Sequence, residues 1–362
     1  MKTFFTATAG LLVGGTAFGE QAQLPEQRPW TFSGYAETYY LHDFYDAQGD
    51  RLPGFVYSHN RANEPKINLA LLKVSYSGAT VRGNLALADG TYMEANYAAE
   101  SGILQNIYEA NIGFRLSSNH DLWLDLGVLP SHIGFESAIG KDNATLTRSM
   151  AADNSPYFET GAKLTYVSPS GKWTLSGLVL TGWQRIEPAD GNSSPSFGHQ
   201  LTYKLNDHIT LNSSSFVGND KADEQRRWRY FHNFYGLFQL SERWSLSAGF
   251  DIGAEQTDKG SSSYNSWLSP VAIARFTPTE KFAIAMRAEY YEDKDGVIVS
   301  TDAPRGFKMA GYSINADYRI TPRFLLRSEL KMFDGKGGNF AKKDGSVVSN
   351  GAMATISFSA AI

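Results

Sequence analysis

The sequence predicts an all-β fold: a transmembrane, antiparallel, up-and-down β-barrel of about sixteen strands. Three observations lead there. Apolar residues recur at every second position, the period of a strand and not of a helix. The segments joining these runs alternate strictly between short and long. Aromatic residues collect at the short-turn ends of the apolar series.

Residues 1–19, MKTFFTATAGLLVGGTAFG, have the layout of a secretory signal, with Lys2, an apolar stretch from Phe4 to Val13, and small residues Ala17 and Gly19 at the exit. Residues 20–362 remain as a single barrel domain. No later stretch reaches the roughly 20 apolar residues that a membrane helix requires. Cysteine is absent, so no disulfide framework is available. A formal net charge of −4 over 362 residues is mild and excludes the concentrated basic face of a nucleic-acid binder.

Strands are expected at 30–43, 66–77, 80–89, 104–116, 121–129, 156–167, 172–184, 196–205, 208–218, 228–241, 243–254, 266–277, 280–292, 307–320, 323–334 and 349–362. The stretch KFAIAMRAEYYED shows the pattern: Phe282, Ile284, Met286, Ala288 and Tyr290 alternate with Arg287 and Glu289. Elsewhere Trp244, Leu246, Ala248, Phe250 and Ile252 oppose Ser245, Ser247, Asp251 and Glu255, and Phe324, Leu326, Leu330 and Met332 oppose Arg327, Glu329 and Lys331. Tyr108, Ala110, Ile112 and Phe114 are read as outward, with Glu109, Asn111 and Arg115 inward. In a closed membrane barrel the apolar series meets lipid and the polar series lines the interior.

The short joints (SGAT, SSNH, SPSG, ND, SER, TPTE, TPR) all fall at one end of such a barrel and the long ones at the other. Short periplasmic turns and long outer loops are the signature of a bacterial outer-membrane barrel. Tyr76, Tyr166, Trp173, Tyr203, Trp244, Phe282 and Tyr318 stand at the short-turn ends, where an interfacial girdle belongs. A soluble sandwich would also alternate, but sixteen strands in one sheet leave exposed edges unless the sheet closes.

SGYAETYY at 33–40, DLGVLPSHIGFES from 125, and SPYFETGAKLTYVSPSGKWTLSGLVLTGWQ ending at 184 resemble the putative beta-barrel porin-2 family. The shared elements are a Gly-Tyr opening the first strand, a Gly-x-x-x-Ser turn into a long loop, a Pro-Tyr before the sixth strand and a Gly-Trp after the seventh. Two departures stand out. Thr181 precedes Gly182-Trp183 where the family has Asn, and the chain ends in Ile362, so Phe358 would have to serve as the terminal aromatic. The resemblance implies an outer-membrane barrel and leaves its solute open.

Enzymatic chemistry finds little support. The seven histidines lack metal spacing, and no Gly-x-Ser-x-Gly occurs. EDKDG at 292–296 lacks the remaining ligands of a calcium loop, and FDGKGGNF at 333–340 lacks the Lys-Ser/Thr of a phosphate loop. No cofactor is expected. The long segment 130–155 exceeds ordinary loop length and resembles, in position and size, the third outer loop that narrows general porins. If it folds inward, its Glu136, Lys141, Asp142, Arg148 and Asp153 face wall residues such as Arg82, Arg115, Lys163, Arg287, Arg319 and Arg327. Packing on the outer rim is the alternative. The inward bases are offset by Glu37, Glu109, Asp125, Glu159, Asp251, Glu289, Asp317 and Glu329, so the sequence yields no strong ion preference.

The expected role is a porin-like passive channel through a polar lumen. The alternative is a plugged structural or adhesive barrel acting through its outer loops. Expected partners are outer-membrane lipids and small hydrophilic solutes, with no nucleic acid and with a homotrimer as an open option.

Overall fold

The computed structural model describes residues 29–301 and 306–362. The signal segment read at 1–19 lies outside them. Sixteen antiparallel strands form a closed barrel: β1 (Trp30–Asp43), β2 (Pro65–Ser77), β3 (Val81–Asp89), β4 (Ile107–Arg115), β5 (Asp121–Pro130), β6 (Phe158–Val167), β7 (Trp173–Leu180), β8 (Ser196–Asn206), β9 (Ile209–Gly218), β10 (Arg229–Gln239), β11 (Trp244–Gln256), β12 (Tyr264–Phe276), β13 (Phe282–Asp293), β14 (Phe307–Thr321), β15 (Phe324–Gly335) and β18 (Gly351–Ala361). The two-residue strands β16 (Phe340–Ala341) and β17 (Val347–Val348) make a small ladder in the last long loop. Each barrel strand pairs with its sequence neighbour, and β1 closes on β18 from Tyr35↔Ala361 to Asp43↔Met353. Closure pairs every edge, a necessity in a solvent that offers no hydrogen bonds.

The register divides the two faces as the alternation predicts. In β13, Met286 is 61% exposed on the outside, while its neighbour Arg287 is buried inside. Cross-strand partners share a face, so Phe282↔Tyr318 and Ile284↔Ala316 are lipid-facing and Ala283↔Asp317 is lumenal. At the short-turn end, aromatic pairs form a girdle: Trp30 with Tyr76 at 4.9 Å, Trp173 stacked on Tyr203 at 4.1 Å and Trp244 on Phe276 at 4.7 Å. His199 and His232 are polar exceptions on the lipid face. Each bonds a neighbouring serine, Ser215 and Ser213 respectively, which offsets part of the cost of placing imidazole in hydrocarbon.

Two local expectations need correction. Tyr108 points into the barrel, because β4 carries a bulge: Ala86 pairs with Glu109 and Leu87 with Ile107, leaving Tyr108 as the extra residue. The seventh strand ends at Leu180, well before 184. Beyond it the chain turns inward at Gln184, whose φ is 54°, and Trp183 packs against Phe216 and Phe231.

The interior is not polar throughout. In the loop-side half, Phe55 from the first long loop sits 4.8 Å from Phe307 and also meets Phe333 and Phe340. These rings belong to a buried cluster with Leu41, Phe231, Trp267 and Met353 from the wall. Apolar residues at inward positions are explained by loops folding in to cover them.

Candidate functional site

Loop 3, the segment between β5 and β6, folds into the lumen and does not pack on the rim. It leaves β5 along the wall, where the His132 carbonyl accepts hydrogen bonds from Gln200 and Ser214. The Gly134 amide then donates to Asn233, and Phe135 packs on Tyr235 at 5.6 Å. The chain next crosses to β15, where Arg327 donates to the Gly140 and Asn143 carbonyls. Its return passes β12 to β15 and ends in the single-turn helix Met150–Asp153, capped by the Ser149 hydroxyl accepting from the Ala152 amide.

Buried wall charges hold this path. The Arg287 guanidinium donates to Thr145 Oγ1 at 2.8 Å, to the Thr147 carbonyl at 2.7 Å, to Thr147 Oγ1 at 2.9 Å and to Glu329 at 3.0 Å. Carboxylates take the loop's amides: Glu329 accepts from Thr147 N, and Glu289 from Met150 N. Lys331 donates to the Arg148 carbonyl and pairs with Glu289 at 3.1 Å. Such groups persist in a low dielectric only when every partner is in place.

Arg287, Arg327, Glu289 and Glu329, expected to line water, are therefore buried beneath the loop and bind it to the wall, and Arg148 is buried within the loop. Arg148 is spent on its own loop, donating to the carbonyls of Ser137, Leu146 and Ala138. Glu136 accepts from Ser149, and burial pushes its carboxyl up. Burial likewise raises the Asp153 carboxyl to about 6, the Lys331 ammonium and Arg148 pulling the other way. Of the loop charges singled out from sequence, Lys141 and Asp142 stay half-exposed and pair with each other at 2.9 Å.

Loop 3 is tied to the β3–β6 wall at its start, where His132 meets Glu159, and among the described residues it makes no hydrogen bond to Arg82, Glu109, Asp125 or Lys163. Arg82 reaches across β4 to Asp125 at 2.8 Å and stacks on Trp123 at 4.4 Å. It can do so because Gly113 lies between them, where a Cβ would overlap Asp125 and sit 2.8 Å from Arg82 Cγ. Lys73 pairs with Glu109, and Lys163 stands opposite Asp125 and near Glu159 without forming an ion pair among the described residues. Arg115 and Arg319 lie at the short-turn end, exposed and remote from loop 3. Between this wall and the loop, Tyr108, Tyr157, Tyr235, Phe135 and Glu136 line a cavity of about 310 Å³.

A closed sixteen-strand barrel with an inserted third loop has clear relatives. The family model described as putative beta-barrel porin-2, OmpL-like, matches residues 29–362. The chain belongs to this porin-2 family. Solved structures of the same fold include OmpT of Vibrio cholerae, expressed in the outer membrane (TM-score 0.60, 10% identity, covering 94% of this chain and 100% of that one). An anion-selective porin from Comamonas acidovorans gives a TM-score of 0.59 at 10% identity, covering 92% and 99%. The outer-membrane channel DcaP of Acinetobacter baumannii gives 0.57 at 11%, covering 92% and 97%. No curated protein matches. The porin-2 chain is an outer-membrane protein of bacteria, and its family and structural neighbours are porins and channels.

Sequence reading of this porin missed two buried pairs. His59 Nε2 meets Glu37 at 2.5 Å, with Asn68 and Tyr35 donating to the same carboxylate. His132 meets Glu159 through Nδ1 at 2.7 Å and the Ser215 carbonyl through Nε2 at 2.8 Å. The first pair fixes loop 1 to the wall and the second fixes the start of loop 3. Glu37 and Glu159 were legible as inward acids, but a loop histidine carries no periodic signal to reveal its partner.

Proposed function

We propose that the protein is a narrow porin, a passive channel for small hydrophilic solutes or ions, not an enzyme. The supporting observation is loop 3 itself, folded into the lumen on buried charges yet making no hydrogen bond, among the described residues, to Arg82, Asp125, Glu109 or Lys163 of the β3–β6 wall, whose side chains turn to the interior. Water and solute would pass between this wall and Glu136, Lys141 and Asp142 of the loop, then past Arg115 and Arg319. Residues 1–19 would act as the export signal and 20–362 as the single barrel domain. A homotrimer fits the fold, as one structure of Vibrio cholerae OmpT is of a trimer form.

A plugged barrel working through its outer loops is the second reading, favoured by the aromatic cluster around Phe55 that fills part of the mouth. Single-channel recording of the refolded protein in a planar bilayer separates the two, alongside a variant lacking residues 138–150 of loop 3. Discrete steps that grow in the variant are expected. A folded, heat-modifiable barrel that gives no steps overturns the porin reading.

A further inference from the structure

We infer that the periplasmic vestibule, below loop 3, is an anion filter, so that this channel carries small anions such as chloride, carboxylates and phosphates in preference to cations. The inference rests on the porin reading and adds a substrate class to it.

The inward positions nearest the short turns carry Lys204, Arg115, Arg319 and, one level deeper, Lys163. The register fixes their side: Arg115 pairs with Trp123, Lys163 with Asp125, Lys204 with Thr210 and Arg319 with Leu325. None of the four takes part in an ion pair among the described residues, and Arg115, Lys204 and Arg319 are exposed. The partly exposed Arg275 adds to this charge, because the Asp317 carboxylate it pairs with is already shared with the buried Arg327. Against them, among the described inward strand positions at this end, stands the unpaired carboxylate of Asp121, whose oxygen accepts from the Trp123 indole, while Asp207, Glu242 and Glu280 lie in the short turns themselves. Asp125 is already held by Arg82.

The lumenal acids lie elsewhere and do not reach this water. Asp251 and Asp293 are buried on the loop side, bonded to the Asn233 amide and to the backbone amides of Val297, Ile298 and Val299. Glu289 and Glu329 are buried against Arg287 and Lys331. The balanced inward charge read from sequence thus separates into compensated, buried acids above and, below, the unpaired and exposed Arg115, Lys204 and Arg319. In a cleft with low-dielectric walls, charges of one sign give a potential of several kT and raise the local concentration of the opposite ion.

The test uses the full-length refolded barrel in a planar bilayer under a potassium chloride gradient. The wild type is expected to show a reversal potential of anion sign. In a variant with Arg115→Gln, Lys163→Gln, Lys204→Gln and Arg319→Gln, the chloride-to-potassium permeability ratio should fall about seven-fold, because losing about 1 kT of potential lowers the anion and raises the cation by about e-fold each. In about 1 M salt, where the Debye length is about 3 Å, the two proteins should converge. Inorganic tripolyphosphate added to the periplasmic side should block at lower concentration than from the outer side, and this sidedness should vanish in the variant. A conducting channel that prefers potassium, or whose ratio the four substitutions leave unchanged, overturns the anion filter and leaves the porin reading standing. Absence of conductance from the folded wild type overturns the porin reading, and the filter with it.

Discussion

Replacing Arg287 by Met should release loop 3 while leaving the barrel intact. The side chain is fully buried and supplies four hydrogen bonds, three to Thr145 and Thr147 of the loop and one to Glu329 of the wall. Met has similar length and no donor. After substitution, Glu289 and Glu329 share Lys331 as the adjacent cation, and the loop hydroxyls lose their donor. Removing one member of a buried ionic group costs about 3–5 kcal/mol. At tenfold per about 1.4 kcal/mol, the docked-to-released ratio of the loop falls by roughly 10² to 10⁴. The barrel should not share this loss, because its strands are held by the closed ladder. The assay is limited trypsin digestion with mass spectrometry: the bond after Arg148, buried in the wild type, should become a cleavage site. Adding Glu329→Met to Arg287→Met should restore part of the protection, since it removes the carboxylate left in excess over Lys331. The reasoning is refuted if Arg287→Met leaves Arg148 as protected as in the wild type, or if the second substitution deepens the exposure.

Three further outcomes are expected. The Asp153 carboxyl, raised to about 6 in the docked loop, binds more protons there than in a released loop; docking should therefore be firmest below about pH 4 and weaken as pH rises through 6. Hydrogen exchange of loop 3 amides, corrected for intrinsic rates, should show that slope, and Asp153→Asn should flatten it. Gly113→Ala should cost about 1–3 kcal/mol in urea unfolding, since the new methyl displaces Arg82 from Asp125; an Arg82→Ala background should absorb most of that cost. Met286→Lys on the lipid face should lose about 2–4 kcal/mol in reversible unfolding into lipid, against about 0–1 for the same change near an interface; equal costs at both depths would contradict the assigned membrane position.

The strand pattern was legible because a barrel imposes its two solvents on every strand. Lipid outside and water or loop inside force alternate residues apart, and period 2 survives even where single positions do not. Tyr108 shows the limit. Its bulge shifts the register by one residue and reverses the face of a side chain that fits the apolar series, and nothing in the local sequence marks the extra residue. The third loop was legible in length and position but not in the use of its charges. Arg287 and Arg327 sit in sequence like any inward base, and only the path of the loop decides that they are buried, whereas Arg115 and Arg319 stay in water. Counting inward charges therefore cannot yield selectivity. A buried Glu289 held by Lys331 and Met150 contributes little to a passing ion, and an unpaired Arg115 contributes its full charge. The field in the channel depends on which charges the loop leaves uncovered.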